Sequence, residues 1–232
     1  MRCRAPRRTR TCLFLLVLAA SAAVAGGCTG LPPVATPSGV IVGQGDVTPE
    51  DRTTSDFHHL SVGGGLRVVL ATGSPLKVTL EAQSNLLPLI TTNVVNGQLV
   101  VNVKSPGFSS SKPITLSVVA PGLQSVSLSG GAGGTLDATA DQLAIDLSGG
   151  ATLDATGRAR TLAVTVSSGA QGRFGGLLAD TATVAASGGA QAELNAVGSL
   201  TGSASEGAVV RLTRKPASLD VKTSGGALVL GG

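Results

Sequence analysis

The sequence predicts an all-β protein whose second half is a parallel β-helix, or β-solenoid, with coils of about 19 residues. Three observations predict it. A short motif recurs six times, apolar and polar residues alternate before most copies, and the chain contains 33 glycines but neither Trp nor Tyr. Small and β-branched residues with abundant glycine suit thin, tightly stacked strands better than a helical globule.

The recurring motif is Ser, any residue, Gly and Ala, and its serines are spaced 19, 19, 20, 18 and 19 residues apart. A period of this length is typical of a solenoid, in which each repeat forms one coil. The glycine permits a positive φ or a close backbone approach, and the alanine fits a crowded corner. The serine hydroxyls are expected to form a hydrogen-bonded ladder; the alternative is that they present a regular polar surface to a partner. The predicted structural positions are Ser129, Gly131, Ser148, Gly150, Ser167, Gly169, Ser187, Gly189, Ser205, Gly207, Ser224 and Gly226.

Apolar residues recur on both sides of the motif. Before it they alternate, as in Leu143, Ile145 and Leu147, which points one face of a strand inward. Coils stacked ~4.8 Å apart would align like residues in columns, so the interior is expected to be filled rather than hollow. A second apolar column is predicted after the motif at Leu136, Leu153, Phe174, Leu194, Leu212 and Leu230.

The first 27 residues are predicted to be a lipoprotein signal peptide. Five arginines precede an apolar run, 12–24, that is shorter than the ~20 residues needed to span a bilayer. The small residues before Cys28 resemble the lipobox of bacterial lipoproteins, which implies cleavage after Gly27 and lipid attachment at Cys28. The alternative is an ordinary secretory signal. Removal of the signal leaves Cys28 alone, without a disulfide partner.

Three further segments are predicted. Residues 28–55 contain scattered Pro and Gly and are interpreted as a flexible tether. Residues 56–120 form an N-terminal β part, with a hairpin at Asn96-Gly97 that suits a type I′ turn, while 85–90 could be one helical turn or a loop. Residues 121–232 form the six-repeat solenoid.

The charge pattern argues against nucleic-acid binding. Of the 17 basic residues, five lie in the first ten positions, which leaves 12 basic residues against 13 acidic ones in the rest of the chain. No basic stripe remains to attract a phosphate backbone.

Candidate chemistry is sparse, and we predict no catalytic residue, no metal ligand and no cofactor. His58 and His59 are the only histidines, and as neighbours on a strand they would face opposite ways. Asp137, Asp154 and Asp146 could supply the paired carboxylates of a glycosidase, but solvated side chains are the simpler interpretation. The string Gly130–Gly134 matches neither a phosphate loop nor a calcium-binding nonapeptide.

The order of the parts resembles the head GIN domain family of autotransporter adhesins. The resemblance covers about residues 55–232 and runs through Asp56-Phe57, 60–70, 96–101 and 114–123 to the serial motifs. It implies a β-solenoid on exported, often lipid-anchored proteins of the bacterial envelope. The family's repeats often read Ser-Gly-Ser-Gly-Asp. Here Ala follows the glycines, so no role of that Asp carries over.

These observations predict a membrane-anchored envelope protein with a non-catalytic head for adhesion or surface interaction. Its expected partners are the membrane, through lipidated Cys28, and an envelope or surface polymer or protein, on the periplasmic side or at the cell surface. The alternative is a polysaccharide-active enzyme or small-ligand binder on a β-helix, which a deep cleft lined by carboxylates would favour.

Overall fold

The computed structural model describes residues 40–104 and 108–232, so the predicted signal peptide, Cys28 and residues 28–39 of the predicted tether lie outside the described residues. One 3₁₀ turn, Leu87–Leu89, settles the open alternative at 85–90. The described strands are β1 Ile41–Val42, β2 Val47–Asp51, β3 His59–Val62, β4 Arg67–Thr72, β5 Lys77–Gln83, β6 Ile90–Val95, β7 Gln98–Val103, β8 Phe108–Ser109, β9 Thr115–Ala120, β10 Ser125–Leu128, β11 Gly133–Leu147, β12 Thr152–Val166, β13 Gln171–Ala186, β14 Gln191–Ala204, β15 Val209–Leu212, β16 Ser218–Thr223 and β17 Leu228–Gly231.

The repeats form the predicted β-solenoid. Strands β11 to β14 each run from one motif to the next and pair in parallel with the strand of the following coil. Equivalent residues therefore stack in columns, as when Leu143 pairs with Leu162. The alternation of apolar and polar residues is reproduced as alternating buried and exposed side chains, which confirms the all-β assignment.

Each motif is a tight turn. Its two central residues have φ between 53° and 77° in all six copies, and the alanine N–H donates to the serine carbonyl oxygen at 3.1–3.2 Å. Two left-handed residues inside a four-residue turn define type I′. This geometry explains the glycine at the third position, and the motif alanines are buried as expected.

The ladder along these turns belongs to the backbone. The amide of Gly131 donates to the carbonyl of Gly149 at 3.0 Å, and Gly150 donates likewise to Ser168 at 3.1 Å, with equivalent bonds in later coils. The predicted ladder of serine hydroxyls is wrong for the described residues, in which these hydroxyls do not bond one another. The turns of successive coils are joined instead by these backbone hydrogen bonds.

The second apolar column needs two corrections. Leu230 pairs with Arg211 and points outward, with 38% of its surface exposed. Leu153 is buried, but it pairs with Gly134 and Gly172 rather than with Leu136. Two inward positions therefore follow each turn. The large apolar residue occupies the first of them in some coils and the second in others.

Large and small side chains alternate along these columns. Leu153 stacks between two glycines, and a Cβ on Gly172 would overlap the ring of Phe174. Phe174 is fully buried, and Ala155 lies in register with Leu136. The glycines make room for the leucine and the phenylalanine, so the narrow interior is packed.

The N-terminal strands stack out of chain order. Strand β3 pairs with β7 on one side and β10 on the other, while β4 lies between β9 and β11. The chain therefore places β3 and β4 between the first repeat and two strands that come later in the sequence, β7 and β9. The segment Gly63–Leu66 stacks on the first motif, since Ser129 N–H donates to Val62 at 3.0 Å. It contains two left-handed glycines, but it lacks the Ser and Ala of the motif, so it cannot be recognised as a repeat from the sequence.

Antiparallel strands close this end of the solenoid. The predicted hairpin is confirmed, because β6 pairs with β7 around Asn96 and Gly97, whose φ angles are 51° and 75°. Strand β5 pairs with β9, and β2 pairs with β5. Strand β2 lies inside the predicted tether 28–55, so the tether is too long at its C-terminal end. All five β2 residues are exposed, and the strand is held by backbone hydrogen bonds. Its sequence therefore shows no alternation of apolar and polar residues that would predict a strand.

Candidate functional site: the exposed faces of the coil stack

The solenoid presents two different outward faces, one on each side of the turns. The hydroxyl face consists of the outward residues before the turns and is mostly Ser, Thr and Ala. It comprises Ser125, Ser127, Ala144, Asp146, Ala163, Thr165, Thr183, Ala185, Thr201 and Ser203. The alternation of the strands dictates its orientation, because the residues between these are the buried apolar ones.

The hydroxyl face carries few ionised groups. Among the ten residues that define it, Asp146 is the only charged one. The hydroxyls of Thr183 and Thr201, in adjacent coils, lie 3.5 Å apart. Towards the N-terminal end the face continues into His59, Gln98 and Asn93, which line an open groove of about 450 Å³. The surface can donate and accept hydrogen bonds over several coils.

The charged face lies after the turns and contains a row of alternating charge. Asp154, Arg173, Glu193 and Arg211 stack in register on four successive coils. Arg173 donates to both oxygens of Asp154 at 3.0 and 3.3 Å. Because neighbours in the row have opposite sign, they neutralise each other rather than concentrate a field of one sign.

This row was missed in the sequence, although a signal was present. Each member follows its motif serine by six residues, so alignment of the repeats would have placed them in one column.

A second set of charges lies at the bend of the long strands. Arg158 pairs with Asp180 at 2.9 Å, and Arg160 pairs with Asp141 at 3.0 Å. The four side chains line an open groove of about 420 Å³, and all four are exposed to solvent. Their charges are also balanced.

Of the three aspartates considered as catalytic carboxylates, Asp137 and Asp154 lie on the same face of adjacent coils, one row apart. Asp154 pairs in register with Thr135, while Asp137 pairs with Thr156, one row further along. Asp154 is bonded to Arg173 and half-exposed, and Asp146 belongs to the hydroxyl face. Asp146 is therefore separated from the other two carboxylates, and Asp154 is held in an ion pair on the exposed surface.

The two histidines contact different parts of the chain. His58 Nδ1 lies 3.1 Å from the carbonyl oxygen of Gly122, while His59 lies in β3 beside Gln98 and Ser125. In the described part of the chain, no group of three His, Cys, Asp or Glu side chains could hold a metal.

The glycine string 130–134 begins with the two left-handed residues of the first turn and continues into β11. A Cβ on Gly134 would overlap the carbonyl oxygen of Val68, so this glycine permits the close approach of β11 to β4. Of the described segments, none is a helix that could span a bilayer.

This architecture defines a β-solenoid protein, in which the exposed polar groups are spread over stacked coils. The profile of the family described as "Putative auto-transporter adhesin, head GIN domain" matches residues 56–216. The chain belongs to this family, as its sequence predicts. Among curated proteins, none matches the chain by sequence.

Solved structures share the fold at low sequence identity. A "putative adhesin" from Bacteroides fragilis NCTC 9343 superposes with a TM-score of 0.68 at 16% identity, over 82% of this chain and 98% of that one. A "putative adhesin" from Parabacteroides merdae ATCC 43184 gives 0.51 at 15% identity, covering 83% and 98%. A "putative lipid binding protein" from Parabacteroides distasonis ATCC 8503 gives 0.53 at 11% identity, covering 82% and 99%.

Proposed function

We propose that this protein is a lipid-anchored envelope protein whose solenoid head mediates adhesion without catalysis. Lipid at Cys28 would hold it on a membrane, and the head would contact a surface polymer or protein, on the periplasmic side or at the cell surface. Family membership supports the adhesive role. The observation that carries the proposal is the hydroxyl face, which offers a similar array of side chains on consecutive coils.

The hydroxyl face is the better candidate for contact. On the charged face, Asp154 and Arg173 already satisfy each other, so a ligand would have to displace an existing pair. Side chains such as Thr165 are exposed and uncharged, and they suit the hydroxyls of a polysaccharide or the backbone of a protein. Such contacts are weak individually, and many copies on one membrane would strengthen them through effective concentration.

The test compares residues 37–232, which form one compact unit, as a free protein and clustered on beads. We expect clustered protein to bind cells or envelope polymer much more strongly than the free protein does. Thr165→Arg on the hydroxyl face should reduce bead binding severalfold. Thr156→Arg, an exposed threonine of the same strand on the other face, is the matched control and should leave it unchanged.

Two outcomes would contradict this proposal. Tight binding of one small molecule by the free protein would indicate a pocket rather than a distributed face. Turnover of a glycan that is abolished by Asp137→Asn or Asp154→Asn would indicate an enzyme.

The anchor is tested separately. The full-length protein should partition into detergent and incorporate labelled fatty acid, because acyl chains gain ~0.8 kcal/mol per buried CH₂. Cys28→Ser should abolish the label and release or misprocess the protein. A Cys28→Ser protein that still labels and stays on the membrane would show that the lipobox interpretation is wrong.

A further inference from the structure

The last described coil, β16 and β17, is bonded on one side only. Strand β16 pairs with β14, and β17 pairs with β15. Within the described ranges, neither has a strand on its outer edge. The N–H and C=O groups along that edge form a template for another strand.

The same coil exposes apolar side chains that its neighbours bury. Leu219 is 46% exposed, whereas Leu200, its partner one coil earlier, is fully buried. Val229, which pairs with the fully buried Val210, is only partly buried against the core, and so is Val221. Leu228 is 52% exposed, but it pairs with Val209 on the outward side. The column of inward residues thus reaches a surface at which further packing would continue the core.

The charged residues of β16 indicate which kind of strand could pair with its free edge. Asp220 and Lys222 flank Val221, and both point outward because they pair in register with Thr201 and Ser203. If β16 pairs with a second β16 in antiparallel orientation, and Val221 faces its own copy, Asp220 of each strand lies opposite Lys222 of the other. Opposite charges directly across two strands stabilise the pair.

We propose that a second copy of this chain docks on the C-terminal coil, with the two β16 strands antiparallel across a two-fold axis at Val221. Leu219 then faces Thr223 of the other copy on the inner side, and the two apolar interiors join. Each copy contributes both members of the ion pairs, as the isologous contact of a symmetric dimer requires.

The opposite end of the solenoid does not offer the same surface. Two strands, β6 and β2, lie at the edges of the sheet there, and β2 contains Pro49, which cannot donate a backbone hydrogen bond, and the acidic residues Glu50 and Asp51. Proline and charge are devices that protect an edge from pairing. Strand pairing along β2 is therefore disfavoured, whereas β16 contains no proline and carries the complementary charges Asp220 and Lys222.

The experiment measures the mass of the full-length protein in detergent by sedimentation over a range of concentrations. We expect a reversible dimer. Asp220→Lys places like charges opposite each other twice and should weaken dimerisation by about tenfold or more. Lys222→Asp should have the same effect, and the double variant Asp220→Lys/Lys222→Asp should restore the dimer, because the two charges are exchanged.

The control is Asp146→Lys. Asp146 lies on the same outward face several coils away, so this variant changes net charge equally without touching the edge, and its dimerisation should equal that of the unmodified protein. A monomer at all concentrations would overturn the proposal. So would a dimer that Asp220→Lys leaves intact, or a double variant that stays as weak as the single ones.

Discussion

The repeats and the N-terminal part share one sheet and one core, but they are built by different rules. From Ser129 onward the coils stack in the order of the chain, and each equivalent residue lies over the previous one. In the N-terminal part, strands β3 and β4 lie beneath the first repeat, and the later strands β7 and β9 lie beneath them in turn. Periodic sequence can specify a stack, but closing its end requires strands that break the period.

The two regions also fill their interiors differently. The repeats bury many alanines, such as Ala182, Ala186 and Ala204, beneath nearly identical turns. The N-terminal part buries larger residues, including Leu60, Leu80 and Leu116. Its connections are irregular and antiparallel strands cross its end, so larger side chains are needed to fill the space that regular stacking closes in the repeats.

The largest expected effect is at the junction of the two regions. Gly134→Ala places a methyl group where the carbonyl oxygen of Val68 lies, so β11 and β4 must separate. We expect the free energy of unfolding to fall by about 3 kcal/mol or more, as measured by denaturant titration.

Gly131→Ala is the control for that substitution. Its methyl group meets nothing within 4 Å, so only the left-handed φ of 77° is penalised. The cost should be about 1–2 kcal/mol. Equal costs for the two variants would contradict a tight contact between the first repeat and β4.

A smaller effect is expected inside the repeats. Gly150→Val or Gly169→Val should cost roughly 1–3 kcal/mol, because a β-branched residue is strained at φ of 76° or 73°. The cause is the backbone conformation rather than crowding, since a Cβ at either position meets nothing within 4 Å.

Gly149→Ser provides the comparison one position earlier. A Cβ there lies 3.1 Å from the backbone nitrogen of Gly130. Even so, Ser168 and Glu206 occupy the equivalent position at φ of 53°. The substitution should therefore be milder than either valine. Equal melting temperatures for all three variants would show that the third position of the motif has no special backbone role.

The alternating charge row should contribute less to the free energy of unfolding than these glycines do. Arg173→Glu puts three acidic side chains on successive coils, and we expect a loss of about 1 kcal/mol or less, because the Arg173 and Asp154 side chains are 60% and 51% exposed. High salt should reduce this loss. A loss that does not depend on salt would point to packing rather than charge.

The smallest effect concerns the edge strand β2. Thr79 Oγ1 donates a 2.7 Å hydrogen bond to Asp51, and this bond, aided by Lys77, holds the pKa of Asp51 below its ordinary value. The resulting stability is present above the unfolded-state pKa and is lost as pH falls through the lowered one. Thr79→Val should raise the pKa of Asp51 towards its ordinary value, which a carboxylate NMR titration would detect. Thr91→Val, whose hydroxyl bonds Asn102, should not.

Part of the candidate site could be predicted from the sequence. The alternation before each serine fixes which residues of the hydroxyl face point outward, because a strand has a strict period of two. The charged row is harder to predict, because it requires knowing which residues of different coils are equivalent. The apolar residues do not mark these positions reliably: Leu153 occupies one of two inward positions, and Leu230 occupies an outward one.

The sequence alone determined the solenoid, its period and the glycine of each turn, because a regular stack repeats the same local requirement on every coil. It also determined the hairpin at Asn96-Gly97, since that turn type depends on two adjacent residues. Only the tertiary structure decided that residues 59–72 lie between two later segments and that β2 belongs to the sheet. These pairings are made through backbone groups, which every residue except proline provides as both donor and acceptor, so side-chain pattern does not specify the partner.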